Sequence, residues 1–160
     1  MLFRNEIFEQ DLESIKDILS STGFFEGAPD EIDAALKSAR QALKDGNTIE
    51  NHAFLFLEQD AETIGYTCFS RIPCTLSTYE IHWLAVHNNQ RGRGIGKLLL
   101  NEVIKIVRQA GASKLILKTA GRDLYIPTQK FYLSCGFKEE ARLKNYYSKG
   151  DDCLIYSMDF

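Results

Sequence analysis

The sequence predicts a single α/β domain of the α+β kind, a mixed sheet of six or seven strands with four helices on its two faces. Three observations lead there. Runs rich in β-branched and aromatic residues alternate with amphipathic helical stretches. No repeat, low-complexity tract or long linker divides the 160 residues, a length that suits one domain with a sound core. Finally, Thr78–Gly111 reads as a strand, a glycine-rich basic loop and a helix, a unit that needs a sheet to pack on.

In chain order, residues Phe3–Phe8 alternate loosely and predict a first edge strand. From Gln10, the spacing of Leu12, Ile15, Ile18 and Leu19 predicts a helix to about Ser21, broken by Gly23-Phe24-Phe25-Glu26-Gly27. Pro29 with Asp30-Glu31 opens a second helix, its acids in the first turn where the helix dipole favours them. Ile32, Ala35, Leu36, Ala39 and Leu43 carry its apolar face to about Lys44. Ala53–Leu57 and Thr63–Arg71 predict an antiparallel hairpin, and Pro73 bounds the loop to a third strand at Thr78. Ile95, Leu98, Leu99, Val103, Ile106, Val107 and Ala110 give the strongest helical stripe, with Gly111 at its end. Lys114–Thr119 is a compact strand, 120–126 is irregular, and Pro127 starts a short helix carrying Tyr132. Phe137 opens a further strand, and Cys153–Phe160 is the last.

The loop Gln90-Arg91-Gly92-Arg93-Gly94-Ile95-Gly96-Lys97 carries the chemistry. The first N–H groups of a helix have no partner within it, and the macrodipole puts partial positive charge there. Glycines let an anion approach the backbone, and Arg91, Arg93 and Lys97 add full charges. Two phosphate loops are excluded. Gly96-Lys97 is followed by Leu98, so the hydroxyl that an ATP-type loop offers to magnesium is missing. The spacing Gly92-x-Gly94-x-Gly96 also departs from the Gly-x-Gly-x-x-Gly of dinucleotide sites.

Arg91-x-x-Gly94-x-Gly96 directly after a strand ending Leu84-Ala85-Val86 resembles the pyrophosphate loop of the GCN5-related N-acetyltransferases, which use acetyl-coenzyme A. Thr128–Phe137, a short helix ending Tyr132-x-x-x-Gly136-Phe137, resembles that family's second cofactor motif, in the right order. The likeness covers the second half of the chain well and the first half in element order. It implies that Leu84, Ala85 and Val86 offer backbone groups to the pantetheine arm. It also implies that Arg91, Gly92, Arg93, Gly94, Ile95, Gly96 and Lys97 cradle the pyrophosphate, and that Tyr132 protonates the leaving thiolate. The family often places an Asn seven residues before that tyrosine. Here the position is Tyr125, and Thr119 or Gln129 is the substitute.

Acetyl transfer also requires the amine to lose a proton. Strict alternation puts Glu80, His82, Leu84 and Val86 on one face of the strand, with Tyr79, Ile81, Trp83 and Ala85 on the other. A central strand in such a sheet is covered on both faces, and burying an unpartnered Glu80 or His82 costs on the order of several kcal/mol. Either is therefore a candidate general base: Glu80 matches a glutamate many relatives use, and His82 has an ordinary pKa suited to the task. Phe24 and Phe25 are expected to plug the core, and Asn145–Asp152, with its aromatics and acids, to form a hairpin turn.

Composition narrows the partners. Net charge is −3 with a pI near 5.6, so the positive charge is local to Arg91–Lys97 and suits a small anionic cofactor, not nucleic acid or an anionic membrane. Cys68, Cys74, Cys135 and Cys153 have no metal spacing with the histidines, so no metal is expected, and they read as free buried thiols in a reducing cytosol. No signal peptide or membrane span is evident, giving a cytoplasmic protein, monomer or homodimer. The expected activity is acetyl-CoA-dependent N-acetylation of a small-molecule or peptide primary amine. The alternatives are a catalytically silent acyl-CoA-binding regulatory module and a nucleotide-binding structural domain.

Overall fold

The computed structural model describes residues 1–26 and 29–160; Gly27, at the end of the predicted helix break, lies outside the described residues. The chain runs β1 (Leu2–Arg4), α1 (Asp11–Ser21), α2 (Pro29–Asp45), β2 (Ala53–Gln59), β3 (Glu62–Arg71) and β4 (Thr78–Val86). It continues as α3 (Ile95–Gln109), β5 (Lys114–Ala120), α4 (Ile126–Ser134), β6 (Lys138–Ser148) and β7 (Asp151–Asp159). The strands form one seven-stranded sheet in the order β1-β2-β3-β4-β5-β7-β6. Among the described residues only β4 and β5 pair in parallel, as expected of two strands joined by a helical crossover.

Two apolar layers flank the sheet. On one face, Ile95, Leu99, Leu100, Val103 and Val107 of α3 pack on Leu55, Leu57, Leu115, Leu117 and Leu154, with Tyr132 of α4 in the same layer. On the other, Ile15, Ile18 and Leu19 of α1 and Ala35, Leu36, Ala39 and Ala42 of α2 cover Phe54, Phe56, Tyr66, Cys68 and Ala85. Close packing of α3 requires Gly65 on β3: a Cβ there would sit 3.0 Å from the Ala85 carbonyl oxygen and 3.1 Å from Leu99 Cδ1. The helical cover stops short of β6, which is exposed along its whole length.

Several expectations need correction. The first strand ends at Arg4, not Phe8, because Arg4 turns inward to a buried ion pair. Its Nη2 lies 2.7 Å from Asp11 Oδ1 and its Nε 2.7 Å from Glu58 Oε1, while Asp11 Oδ2 accepts the Phe8 N–H at 2.7 Å. That pull takes the chain off the sheet and into α1. The stretch before α4 is not wholly irregular, since Asp123–Tyr125 makes a 3-10 turn. Of the four free thiols, only Cys68 and Cys153 are buried, Cys135 is half-buried and Cys74 is exposed.

The largest correction concerns β4. Phe69 pairs with Ile81 and Cys68 with Trp83, so His82 is an extra residue without a cross-strand partner. This β-bulge resets the alternation. Tyr79 and Ile81 face the α3 layer, and so do Leu84 and Val86, whereas Trp83 and Ala85 face α1 and α2. Glu80 therefore lies on the opposite face from Leu84 and Val86, not beside them. The parallel ladder stops at the same place: Thr78 to Ile81 pair with Lys114 to Leu117, and no pairing follows. Beyond that point the two strands part.

Candidate active site

Beside the parted end of β4 lies a cleft of about 470 Å³. Leu84, Ala85 and Val86 line it from the strand, Arg91, Gly92, Gly94, Ile95, Gly96 and Lys97 from the loop and helix start, and Phe131 and Tyr132 from α4. Phe24, Phe25 and Trp83 close the α1/α2 side.

The loop is built for an anion. Gly94 is the N-cap of α3, held in the left-handed region at φ +78°, which a side chain would strain. Leu98 N–H is the first to bond back, to the Gly94 carbonyl at 3.0 Å, so the helix presents its earlier N–H groups outward. A Cβ on Gly92 or Gly94 would meet nothing within 4 Å, so the space over the loop is open. At Gly96 a Cβ would come within 3.4 Å of Phe131, closing the cleft from below. Arg91 lies with its Cζ 5.0 Å from the centre of the Phe24 ring, and partial burial lowers its guanidinium pKa. Arg93 instead donates to the Gln90 side chain and is not among the lining residues.

Tyr132 is placed by the way its helix ends. Gly136, at φ +91°, follows the helix end, and its N–H bonds the Leu133 carbonyl at 3.1 Å while Phe137 N–H reaches the Tyr132 carbonyl at 3.1 Å. These are the two bonds of a Schellman cap, whose usual apolar contact joins the same two positions. Here that contact is the Tyr132 ring against Phe137, 6.0 Å between centroids, with Phe131 and Tyr156 alongside. The spacing Tyr-x-x-x-Gly-Phe is thus a helix-stopping device that fixes a phenol at the cleft wall. Burial raises the phenol's pKa well above its ordinary value, with the Cys135 thiol adding to the effect, so it remains protonated at neutral pH.

His82 and Glu80 stand one and three residues upstream of Trp83, where the cleft-lining part of β4 begins, on the α1/α2 side of the sheet. Glu80 Oε1 pairs with Lys118 Nζ at 3.0 Å across the still-bonded start of the gap. Burial opposes the Lys118 charge, but the hydrogen bond and charge of Glu80 prevail and raise its pKa. His82 Nε2 is 2.7 Å from Ser70 Oγ, and its ring is 5.3 Å from that of His52. Burial lowers the His82 pKa below its ordinary 6.5; Glu80 pulls it up, and His52 and Lys118 push it down. The imidazole is therefore neutral at pH 7, with a lone pair to offer.

Thr119 is buried on β5 opposite Leu154 and does not line the cleft. Gln129 donates from Nε2 to the Ala120 carbonyl at 3.0 Å, so its amide is engaged in holding α4 to β5. Tyr125 stacks on Phe24, centroids 5.0 Å apart and planes 19° apart. Phe25 meets Trp83 edge-on and belongs with the α1/α2 layer, whereas Phe24 roofs the cleft. Trp83, Phe131 and Phe24 line the cleft at positions that motif spacing does not reveal; the aromatic character of the α1–α2 connection is the one signal for the last. Among the described residues no group of three metal-ligating side chains converges.

A parallel strand pair that parts beside an anion-binding helix start is the frame of an acyltransferase that threads an extended phosphorylated cofactor between strands. The Acetyltransferase (GNAT) family pattern matches residues 12–137, and the chain belongs to that family, whose acyl donor is acetyl-coenzyme A. A GNAT-family protein from Desulfovibrio desulfuricans is 36% identical over 99% of this chain and 98% of its own, with a TM-score of 0.93. The N-alpha-acetyltransferase of Sulfurisphaera tokodaii is 27% identical over 113 residues, 64% of this chain and 66% of that protein, just short of two thirds of its length. An aminoglycoside 6′-N-acetyltransferase solved with coenzyme A shares the fold at a TM-score of 0.76 and 18% identity, over 99% of this chain and 97% of its own. No helix among the described residues is long and apolar enough to cross a membrane.

Gly94→Glu places a carboxylate, on a strained backbone, over the outward N–H groups. Calorimetric titration should show acetyl-CoA affinity falling by at least about 10-fold, since one repelled or lost charged hydrogen bond is worth roughly 1.5–3 kcal/mol.

Proposed function

We propose that the chain transfers an acetyl group from acetyl-CoA to a primary amine by direct attack, without an acyl-enzyme. The observation that carries this reading is the position of Tyr132, whose ring is locked by the helix cap while its side chain borders the same cleft as Val86 and the α3 start. A binding module without catalysis has no use for a protonated phenol there.

The residues divide the work as follows. N–H groups at the start of α3, with Arg91 and Lys97, hold the pyrophosphate. The unpaired edge of β4 at Leu84–Val86 offers backbone groups to the pantetheine arm and to the thioester oxygen as charge develops on it. The acceptor enters from the α1/α2 side, where Glu80 and His82 stand. One of them takes the ammonium proton, directly or through water. The freed nitrogen attacks the carbonyl carbon, a C–N bond forms and the C–S bond breaks. The phenolic proton of Tyr132 goes to the sulfur, and the second proton, shed by the nitrogen as the amide forms, restores the phenol through water.

Of the two bases, His82 is the one not engaged in an ion pair, whereas Glu80 is held by Lys118. Glu80 then acts by orienting the acceptor's positive charge or relaying its proton through water. The acceptor is a small-molecule or peptide amine. Two of the three relatives named above are an N-alpha-acetyltransferase and an aminoglycoside 6′-N-acetyltransferase.

Two measurements test the mechanism. Tyr132→Phe keeps the ring and removes only the hydroxyl; turnover should fall by about 10²–10⁴-fold, with acetyl-CoA affinity and melting temperature nearly unchanged. Turnover close to wild type would take Tyr132 out of the reaction. For the base, the sign follows from the depressed His82 pKa: the wild-type rate should hold at neutral pH and decline only below the ordinary histidine value of 6.5. His82→Ala should lose most activity at neutral pH and regain it as pH approaches the amine's own pKa of about 10. Equal loss at every pH would assign His82 a structural role.

A further inference from the structure

One wall of the cleft takes no part in the steps above. Leu19, Thr22, Phe24, Phe25 and Trp83 form it, on the side where the acceptor enters. Phe25 meets Trp83 edge-on, ring centroids 6.2 Å apart and planes at 66°, and both are half-buried against the α1/α2 layer. Phe24 is already engaged, with the Tyr125 ring centre and the Arg91 Cζ each 5.0 Å from its own centre. The body of an acceptor therefore meets Phe25 and Trp83 first.

That wall offers little to a polar group. Thr22 Oγ1 donates to the Leu19 carbonyl at 2.7 Å and accepts the Phe24 N–H at 3.2 Å, so its hydroxyl is engaged. The Trp83 carbonyl accepts the Thr67 hydroxyl at 2.8 Å. Among the five side chains this leaves the Trp83 indole N–H as the one open polar group. Charge points the same way. The charged side chains lining the cleft, Arg91 and Lys97, are both cations, and no described lining residue is a carboxylate.

These features sort amine acceptors. A polyamine or aminosugar brings further ammonium groups, which find no carboxylate on this wall and face two cations. A peptide brings an N–H and a C=O at each residue, and an apolar wall leaves them unpaired. A monoamine with an aromatic body leaves nothing unpaired, and its ring gains burial against Phe25 and Trp83. Burial there also favours the uncharged amine, the form that attacks.

We propose that Phe25 and Trp83 form the subsite for the acceptor's body, and that the substrate class is a small primary monoamine bearing one aromatic ring on a short chain. This rests on the acetyltransferase reading above.

The test compares benzylamine, methoxyethylamine, para-xylylenediamine and phenylalanylalanine amide as acceptors, read by release of CoA thiol, with kcat/KM referred to the uncharged amine. Benzylamine should exceed methoxyethylamine by about 10-fold or more, the order expected from withdrawing a ring from water. It should also exceed the diamine, which adds one ammonium group to the same ring, and the peptide. In Phe25→Ala and in Trp83→Ala the benzylamine-to-methoxyethylamine ratio should fall towards one. Phe25→Asp puts a carboxylate on the wall and should turn the preference from benzylamine to the diamine. Phe25 lies half-buried in a turn outside the helices and strands, so its variants keep the test valid if Trp83→Ala folds poorly, which melting curves report. A wild-type ratio near one, a ratio unchanged in both alanine variants, a diamine that gains nothing in Phe25→Asp, or wild-type preference for the diamine or the peptide would each overturn the proposal while leaving acetyl transfer intact. Binding of acetyl-CoA without thiol release on any of the four amines would instead remove the acetyltransferase reading, and this subsite with it.

Discussion

Past Ile81 and Leu117, β4 and β5 no longer bond to each other, and most of what the protein does is arranged around that parting. Parallel strands in a covered sheet ordinarily pair along their length, because an unpaired backbone group away from water costs about as much as a lost hydrogen bond. Here only four residue pairs join the two strands. The strand edges left open are compensated only if something else bonds them, and an extended arm with amide groups is suited to do so. The split coincides with the bulge at His82, which bends β4 and increases its twist. One inserted residue therefore accounts for both the gap and the rotation of Trp83 and Ala85 towards α1 and α2.

The gap has chemically distinct sides. On the α3 side stand outward N–H groups, Arg91 and Lys97, matched to a polyanion. On the α1/α2 side stand His82, bonded to Ser70, and Glu80, held by Lys118. Under the proposed reaction the anionic donor lies on the α3 side, and a positively charged acceptor reaches it from the α1/α2 side at Leu84–Val86. The aromatic stack of Phe24 on Tyr125, with Arg91 beside it, ties the roof of the cleft to the pyrophosphate loop. Tyr125 has an aromatic job at a position where relatives often carry an amide.

Local rules made much of this legible. Helix α3 and its loop follow from apolar spacing and glycine placement, and Tyr132 from the helix-ending spacing to Gly136 and Phe137. The two-residue alternation of β4 misled from His82 onward, because alternation assumes a regular pleat and nothing in Tyr-Glu-Ile-His-Trp announces an extra residue. The bulge shows only in the cross-strand register, where Phe69 pairs with Ile81 and Cys68 with Trp83. The early exit of the chain from the sheet at Arg4 was hidden for a similar reason, since it depends on Glu58, fifty-four residues away.

The central claim is that the opened end of β4 and the start of α3 together receive the cofactor. Backbone amide spectra recorded during a titration with coenzyme A test it residue by residue. The account predicts that the largest shifts fall on Leu84–Val86 and Gly92–Lys97, with smaller ones on the parted end of β5 at Lys118–Ala120. Shifts concentrated instead in the acidic cleft between β1, α1 and the β2–β3 turn, with Leu84–Val86 unmoved, would contradict it.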